Sequence, residues 1–540
     1  INGNLYAFSK TQEQKQEVIV AKQIVKRFKA NKETVFQEED KFLKKYTVKA
    51  EKDIPISFEF SAYIGVDEDL NAINTYLVEA KVEGFDLHLK RHQKLWEQKW
   101  KDADVIIEGD EQAQISLRYS IYHLLLLSPT ISPGASIPAR GVSGQTYKGA
   151  IFWDTEVFML PFYLNTDLAS AKSIIDYRIQ SLGGALKKAQ EYGFRGAFYA
   201  WESQENGYDA CTDYNVTDVL TKRKIRTYFR DKQIHISGAI VYAINSYLNH
   251  TQDRNILKEG ALEVIIEVAR FYLDYGSYKV LSDRFEIWDV MGPDEYHERV
   301  HNNAYTNQMV KMVFDVLLMC EKYFEEKDDG YFKVLVEKLN FEEELQKIKN
   351  LKSKVFIQKP NKDGIIEQFD NYFKLKDIDL NELLKMRLHP HEYLGQLASD
   401  TQIIKQADII TMLYLFRDKY DTSIMKKNWD YYEKRTEHGS SLSASMYALT
   451  ACITDNPEYA YPLFIQSAEI DLHGNSKQYA GGIYIGGSHP AASGGAYLVA
   501  IYGFAGLIDQ GEEFKLEPHL PNAITSISFK VKRKTKTYQV

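Results

Sequence analysis

Cysteine is scarce: the 540 residues hold three, Cys211, Cys320 and Cys452, far apart in the chain. That spacing fits neither a disulfide framework nor C-x-x-C metal ligation, and it is expected of reduced thiols in a cytoplasmic protein. Glycine and proline number 31 and 13, too few for a collagen-like or low-complexity chain. No uncharged apolar run approaches the ~18 residues that a membrane span needs, so no membrane partner is expected. Lys and Arg number 67 against 75 Asp and Glu, a net charge of −8 without a long basic stretch, so no nucleic acid is expected either. A G-x-x-x-x-G-K-[ST] string is missing, which removes the nucleotide P-loop. H-E-x-x-H or comparable ligand spacing is missing too, and no metal is expected. The chain begins at Ile1, and the mostly polar Asn2 to Glu17 lacks a charged segment leading into an apolar one; the chain is expected to be trimmed at its start.

What is present is globular: 44% hydrophobic and 26% charged residues, with length for roughly two to four domains. Short β-branched runs such as Glu17-Val18-Ile19-Val20 and Ile54-Pro55-Ile56-Ser57-Phe58-Glu59-Phe60 predict strands and a partial β domain over 1–70. Between Ala72 and Ala103 sparse apolar residues among many charges predict a polar helical linker, 71–110. Amphipathic segments then follow at 115–127, 168–191, 234–248, 261–275, 303–324, 404–416, 441–454 and 494–507. They predict about ten to twelve helices, with the richest motifs in the connections. No fixed repeat period is visible, so a closed ring of helical hairpins, an (α/α)6 barrel over 111–510, is expected over an open solenoid. After Pro521 the alternation of Ile524, Ile527, Phe529 and Val531 predicts strand, the start of a small β domain at 511–540. The fold class is mainly α.

Five segments carry chemistry. In Trp288-Asp289-Val290-Met291-Gly292-Pro293-Asp294-Glu295-Tyr296-His297-Glu298, the Gly-Pro marks irregular chain running toward a helix near Asn303, and a carboxyl beside Trp288 or Tyr296 is a candidate proton donor. In Phe152-Trp153-Asp154-Thr155-Glu156 an aromatic face and a carboxylate suit a sugar ring and its hydroxyls, although Trp153 as core and Asp154 as an N-cap would read the same. Ala200-Trp201-Glu202 has similar chemistry. Glu437-His438-Gly439-Ser440-Ser441 leads into a helix and offers an anion seat, or only a serine cap. The Gly-rich run from Gly481 through Gly495 precedes another helix.

Taken together, Tyr147 to Glu156, Met291 to Glu298, Asn302 to Asn307, Lys405-Gln406-Ala407-Asp408 and His438 to Ser443 resemble glycoside hydrolase family 65. The likeness spans nearly the whole helical region, in order. It implies inverting phosphorylases of maltose, trehalose, kojibiose, nigerose and related α-glucosides, built from an N-terminal β-sandwich, a helical linker, an (α/α)6 catalytic barrel and a C-terminal β domain. Much of the sandwich and of the C-terminal domain is expected to be absent here. By motif position, Glu295 is the implied general acid. Trp153, Asp154, Lys405 and Gln406 are the implied substrate contacts, and His438, Ser440 and Ser441 the phosphate seat. No cofactor is implied; inorganic phosphate is the co-substrate, an α-glucoside its partner, and a homodimer or higher homo-oligomer the expected assembly.

An inverting hydrolase needs an acid and a base, whereas a phosphorylase needs the acid alone, because phosphate arrives as an anion. The expected product is β-glucose 1-phosphate. Glu437 keeps a second outcome open, an inverting hydrolase with that carboxylate as base for water. The loops 206–229 and 481–495 differ from those expected of maltose and trehalose enzymes and point to another linkage or acceptor, such as an α-1,3 or α-1,2 glucoside. A non-catalytic carbohydrate-binding protein of the same descent is the remaining alternative, and an intact Glu295 weighs against it.

Overall fold

The computed structural model describes residues 4–11, 15–26, 29–38, 41–129, 134–143, 146–473, 479–480, 483–484, 486–510, 513–534 and 536–540. It divides into two compact units, Ile1–Asp102 and Ala103–Val540.

In the first unit the strands Leu5–Lys10, Glu17–Lys26 and Phe58–Val66 form an antiparallel sheet with Glu17–Lys26 in the middle, and Lys32–Glu38 pairs with Lys41–Thr47 as a separate hairpin. Alternation sorts the central strand: Ile19 and Ala21 are buried with Ile73 and Leu77 of the following helix, whereas Val20 is exposed. The strand expected from Ile54 begins only at Phe58, since Pro55 has no N–H to give a ladder. The helix Leu70–Ala103 is broken at Gly84, where φ is 73°, a conformation open to glycine at little cost.

The second unit is the (α/α)6 barrel. Helices Glu111–Leu126, 168–191, Leu262–Tyr275, 331–351, Thr422–Glu433 and Pro457–Ala468 alternate along the chain with 155–166, His235–Thr251, Ala304–Glu326, Ile409–Leu415, Ser443–Ile453 and 490–504. The second set touches in a closed ring: 155–166 packs on 235–251, that on 304–326, then 409–415, 443–453 and 490–504, which returns to 155–166. Burial separates the sets. Ser443–Ile453 is buried at every position from Ser443 to Cys452, and Pro490–Leu498 throughout, as inner helices must be, whereas Glu111–Leu126 buries one stripe of Ala113, Leu117, Ile121 and Leu124. Small residues allow the close approach. A Cβ on Gly494 would strike the Phe158 carbonyl, so only glycine lets 490–498 lie against the turn after Trp153 and Asp154. The C-terminal strand Ser526–Arg533 pairs with Val105–Glu108 on one side and Lys536–Gln539 on the other.

The helix expected over 168–191 is broken at Ser181 into Leu168–Gln180 and Leu182–Glu191. The helix expected from Ile404 starts at Ile409, because Ile404 is extended and bridges to Thr436. The second change leaves the Lys405 N–H free to bond Asp294. Among the described residues no helix is long and apolar enough to cross a membrane, and no group of three His, Cys, Asp or Glu is placed to hold a metal ion.

Candidate active site

A cavity of about 590 Å³ opens at one end of the inner ring. Its lining includes residues from the chain leading into every inner helix: Trp153 and Asp154 before 155–166, Trp201 to Phe229 before 235–251, Glu295 before 304–326, Lys405 and Gln406 before 409–415, His438 to Leu442 before 443–453, and His489 before 490–504. All six helix N-termini therefore face this end, which favours negative charge in a bound ligand. The sequence-predicted residues Trp153, Asp154, Glu295, Lys405, Gln406, His438, Ser440 and Ser441 all line the one cavity.

Trp153 is packed edge-on by His235, Phe158 and Tyr305, with centroids 5.1–6.1 Å away. Burial pulls the His235 imidazole down to about 3, so a neutral ring backs the tryptophan. Asp154 makes no capping hydrogen bond to the π-helical turn Thr155–Met159, so its carboxyl is left for the cavity. Burial, then the facing charge of Glu295, pushes that carboxyl up to about 7. Two residues on, Glu156 points away and grips Arg178 through Oε1 and Oε2 at 2.7 and 2.9 Å, both side chains fully buried. Arg178 also donates to the Phe152 carbonyl at 3.2 Å. The Trp-Asp turn is thus clamped from behind.

Glu295 faces the Lys405 ammonium in an ion pair, and the Tyr393 hydroxyl donates to its carbonyl at 3.0 Å. Burial would strip the lysine of its proton, but the Glu295 charge outweighs it and holds Lys405 above its ordinary value. Gln406 donates to the Pro293 carbonyl while its buried Oε1 has no partner among the described residues. The two loops interlock where Gly292 passes Asn303 and Asp408, which a Cβ would strike.

His438 adopts φ 54°, and its Nδ1 lies 2.9 Å from Ser443 Oγ. Ser443 Oγ also accepts the Ala407 N–H at 3.2 Å; when its own hydrogen goes to Nδ1, the hydrogen of the neutral ring sits on Nε2. Burial lowers the imidazole to about 4, so this is a neutral donor. His438 Nε2 is buried without a partner among the described residues, as an edge that awaits an acceptor would be. Ser440 Oγ accepts the Leu442 N–H at 3.2 Å, with its own hydrogen still to give. Glu437 receives the Tyr296 hydroxyl.

Residues 118–492 match the glycosyl hydrolase family 65 central catalytic domain. The chain belongs to this family. It is 50% identical over 465 residues to a nigerose phosphorylase of Lachnoclostridium phytofermentans, covering 85% of this chain and 62% of that protein. It is 35% identical over 512 residues to a 1,2-alpha-glucosylglycerol phosphorylase of Bacillus selenitireducens, covering 94% and 67%. It is 36% identical over 472 residues to a kojibiose phosphorylase of Caldanaerobacter subterraneus, covering 86% and 60%. The chain thus spans about 60–67% of the length of these relatives. A solved structure of a human-microbiome protein, provisionally assigned as a kojibiose phosphorylase, superposes with a TM-score of 0.82 at 25% identity, over 100% of this chain and 72% of that one.

The family 65 cavity also contains Arg140 and Tyr393, which sequence reasoning did not single out, and residues of the quoted segments to which it gave no role. Arg140 is buried with Nη1 unpartnered among the described residues and its guanidinium 5.6 Å from the Tyr147 ring; it sits in no motif, and only the fold brings it there. Tyr147, Tyr393 and His489 line the wall as well. His489 is fixed by Asp471, 2.6 Å from both its backbone N–H and Nδ1. Trp201 stacks on Phe229 at 5.0 Å, and burial lifts neighbouring Glu202 to about 7. Trp288, read as the aromatic beside the acid, instead lies at the surface with Lys279 over its ring and His301 stacked on it. Tyr296 turns toward Glu437. Of the Gly-rich run, Gly481, Gly482 and Ile485 lie outside the described residues.

Proposed function

We propose that this family 65 chain is an inverting α-glucoside phosphorylase, converting an α-glucosyl disaccharide and inorganic phosphate into β-glucose 1-phosphate and the released sugar. The observation that carries the reading is the edge formed by His438 Nε2, without a partner among the described residues, and the Ser440 and Ser441 hydroxyls. It shares its cavity with one acid candidate on the Gly-Pro loop, Glu295. In this reading Trp153 and Asp154 hold the glucosyl unit, Lys405 and Gln406 contact substrate, Glu295 protonates the leaving oxygen, and phosphate attacks the anomeric carbon from the opposite face. Nigerose is the first candidate substrate, since the relative with half its residues identical is a nigerose phosphorylase; kojibiose and glucosylglycerol come next. The three buried, unpaired thiols suit a cytoplasmic enzyme, and a homodimer or larger homo-oligomer is the assembly that light scattering should find. Incubation with an α-glucoside panel, with and without phosphate, tests the reading by measuring glucose 1-phosphate and free glucose separately. Glucose release independent of phosphate, with no sugar phosphate formed, overturns it.

Two variants sharpen it. Ser440→Ala with Ser441→Ala should raise the KM for phosphate far more than that for disaccharide, because the lost hydroxyls face the anion. Equal effects would reduce the segment to a helix cap. Glu437→Gln should leave phosphorolysis within about tenfold or improve phosphate affinity, because it removes a negative charge from beside the seat. As the base of a hydrolase it should instead cost ~10²-fold or more. Its engagement by the Tyr296 hydroxyl favours the first outcome.

A further inference from the structure

Asp294 adjoins the proposed acid yet is itself buried, with 1% exposure. Its carboxylate fills four acceptor positions. Oδ1 takes the N–H groups of Tyr296 and Lys405 at 3.2 and 2.8 Å, and Oδ2 takes His297 Nδ1 and Gln368 Nε2 at 2.6 and 3.1 Å. The other nitrogen of His297, Nε2, lies 2.7 Å from the Thr401 carbonyl, which can only accept. Nε2 therefore carries hydrogen, and against an ionised Asp294 Nδ1 carries one too, which makes the ring an imidazolium.

We propose that the buried Asp294 carboxylate and His297 imidazolium are a positioning pair that aligns Glu295 with Lys405 for proton transfer, an inference that rests on the role proposed for Glu295. The connectivity carries it. Glu295 meets the Lys405 ammonium across a sequence separation of 110 residues, while Asp294 holds the Lys405 backbone N–H from beneath. His297 reaches Thr401 on the same connection. Two loops distant in sequence are thus tied in the cavity by Glu295 and below it by Asp294 and His297, besides the Gln406–Pro293 and Asp408–Asp294 bonds, and neutral His297 would lose one of its two donors.

The groups around the ring are few. Burial alone would strip its proton, but the Asp294 charge and hydrogen bond outweigh that and hold His297 above its ordinary value. The Asp408 carboxyl takes the Asp294 N–H at 3.2 Å and is lifted to about 7 by burial and by Asp294. The Phe369 and Tyr372 rings pack 5.2 and 6.0 Å from the imidazole and close it from solvent.

The test compares Asp294→Asn, His297→Gln and Glu295→Gln on two donors, a natural disaccharide and α-glucosyl fluoride, each with phosphate. Fluoride leaves with little need of a proton. Asp294→Asn should lower kcat on the disaccharide by ~10²-fold, the usual size of a small misplacement of a reacting group, with a much smaller loss on the fluoride and little change in phosphate KM. His297→Gln should follow the same pattern less severely. Equal losses on both donors, with Glu295→Gln still discriminating between them, would make the pair a structural prop and overturn the proposal. If Glu295→Gln itself does not discriminate, the acid assignment falls instead. Should the variants not fold, ¹⁵N NMR of selectively labelled histidine in the unaltered protein decides: two protonated His297 nitrogens at about pH 7 are expected, and a neutral ring there overturns the pair.

Discussion

Glu295→Gln should fold like the parent protein, bind disaccharide and phosphate, and turn over natural α-glucosides ~10²–10⁴-fold more slowly, the usual contribution of a general acid. The glutamine has the same volume, so Trp153, Asp154 and the clamp behind them stay in place; what disappears is the proton for the departing sugar oxygen. A donor whose leaving group departs unaided, such as α-glucosyl fluoride, should lose much less, and this leaving-group dependence separates a lost acid from a damaged site. Retention of most activity on natural substrates would move the acid to another cavity carboxyl. Asp154 and Glu202 line the cavity, and burial lifts each to about 7. Glu298 does not line it, and its carboxylate accepts the Tyr228 N–H at 3.1 Å.

How much of this is legible in the sequence follows from what is local and what is not. An inner helix of an (α/α)6 barrel must be apolar or small over its whole surface, and runs such as Ser443-Ala444-Ser445-Met446-Tyr447-Ala448-Leu449 announce that directly. Each candidate loop ends where such a helix begins, so motifs read separately as loop-before-helix had to converge once the ring closed. Boundaries are less legible. Gly184 lies against the backbone of Asn206 and Gly207, so the expected helix over 168–191 breaks three residues earlier at Ser181 for a tertiary contact that no local pattern encodes. The short Ile409–Leu415 helix gives up its expected first turn because Lys405 spends its N–H on Asp294. For the same reason motif order can bring Glu295 and Lys405 to one site without telling which of their groups meet. Trp288 is misplaced by the sequence reading because adjacency in a loop says little about which way a side chain turns.

The largest expected effect on stability lies behind the cavity. Glu156 and Arg178 have no exposed side-chain surface, so removing one partner strands a charge in the core. Glu156→Gln or Arg178→Met should destabilise the barrel by about 3–5 kcal/mol. The pair does not thereby become the source of the barrel's stability. A buried ion pair loses much of its attraction to the desolvation it suffers, and replacement of both partners by apolar residues of similar volume is often neutral or better. Glu156→Leu with Arg178→Met should therefore recover much of the denaturation midpoint lost by either single change, a coupling that a double-mutant cycle measures. Activity should not recover with it. Arg178 holds the Phe152 carbonyl directly before Trp153 and Asp154, and leucine with methionine cannot replace that hydrogen bond. The double variant should be folded yet impaired in kcat/KM for disaccharide, with phosphate KM nearly unchanged. Full activity in a refolded double variant would mean that packing alone fixes the Trp-Asp turn, and a midpoint as low as in the single variants would mean that the core cannot close over the vacated pair.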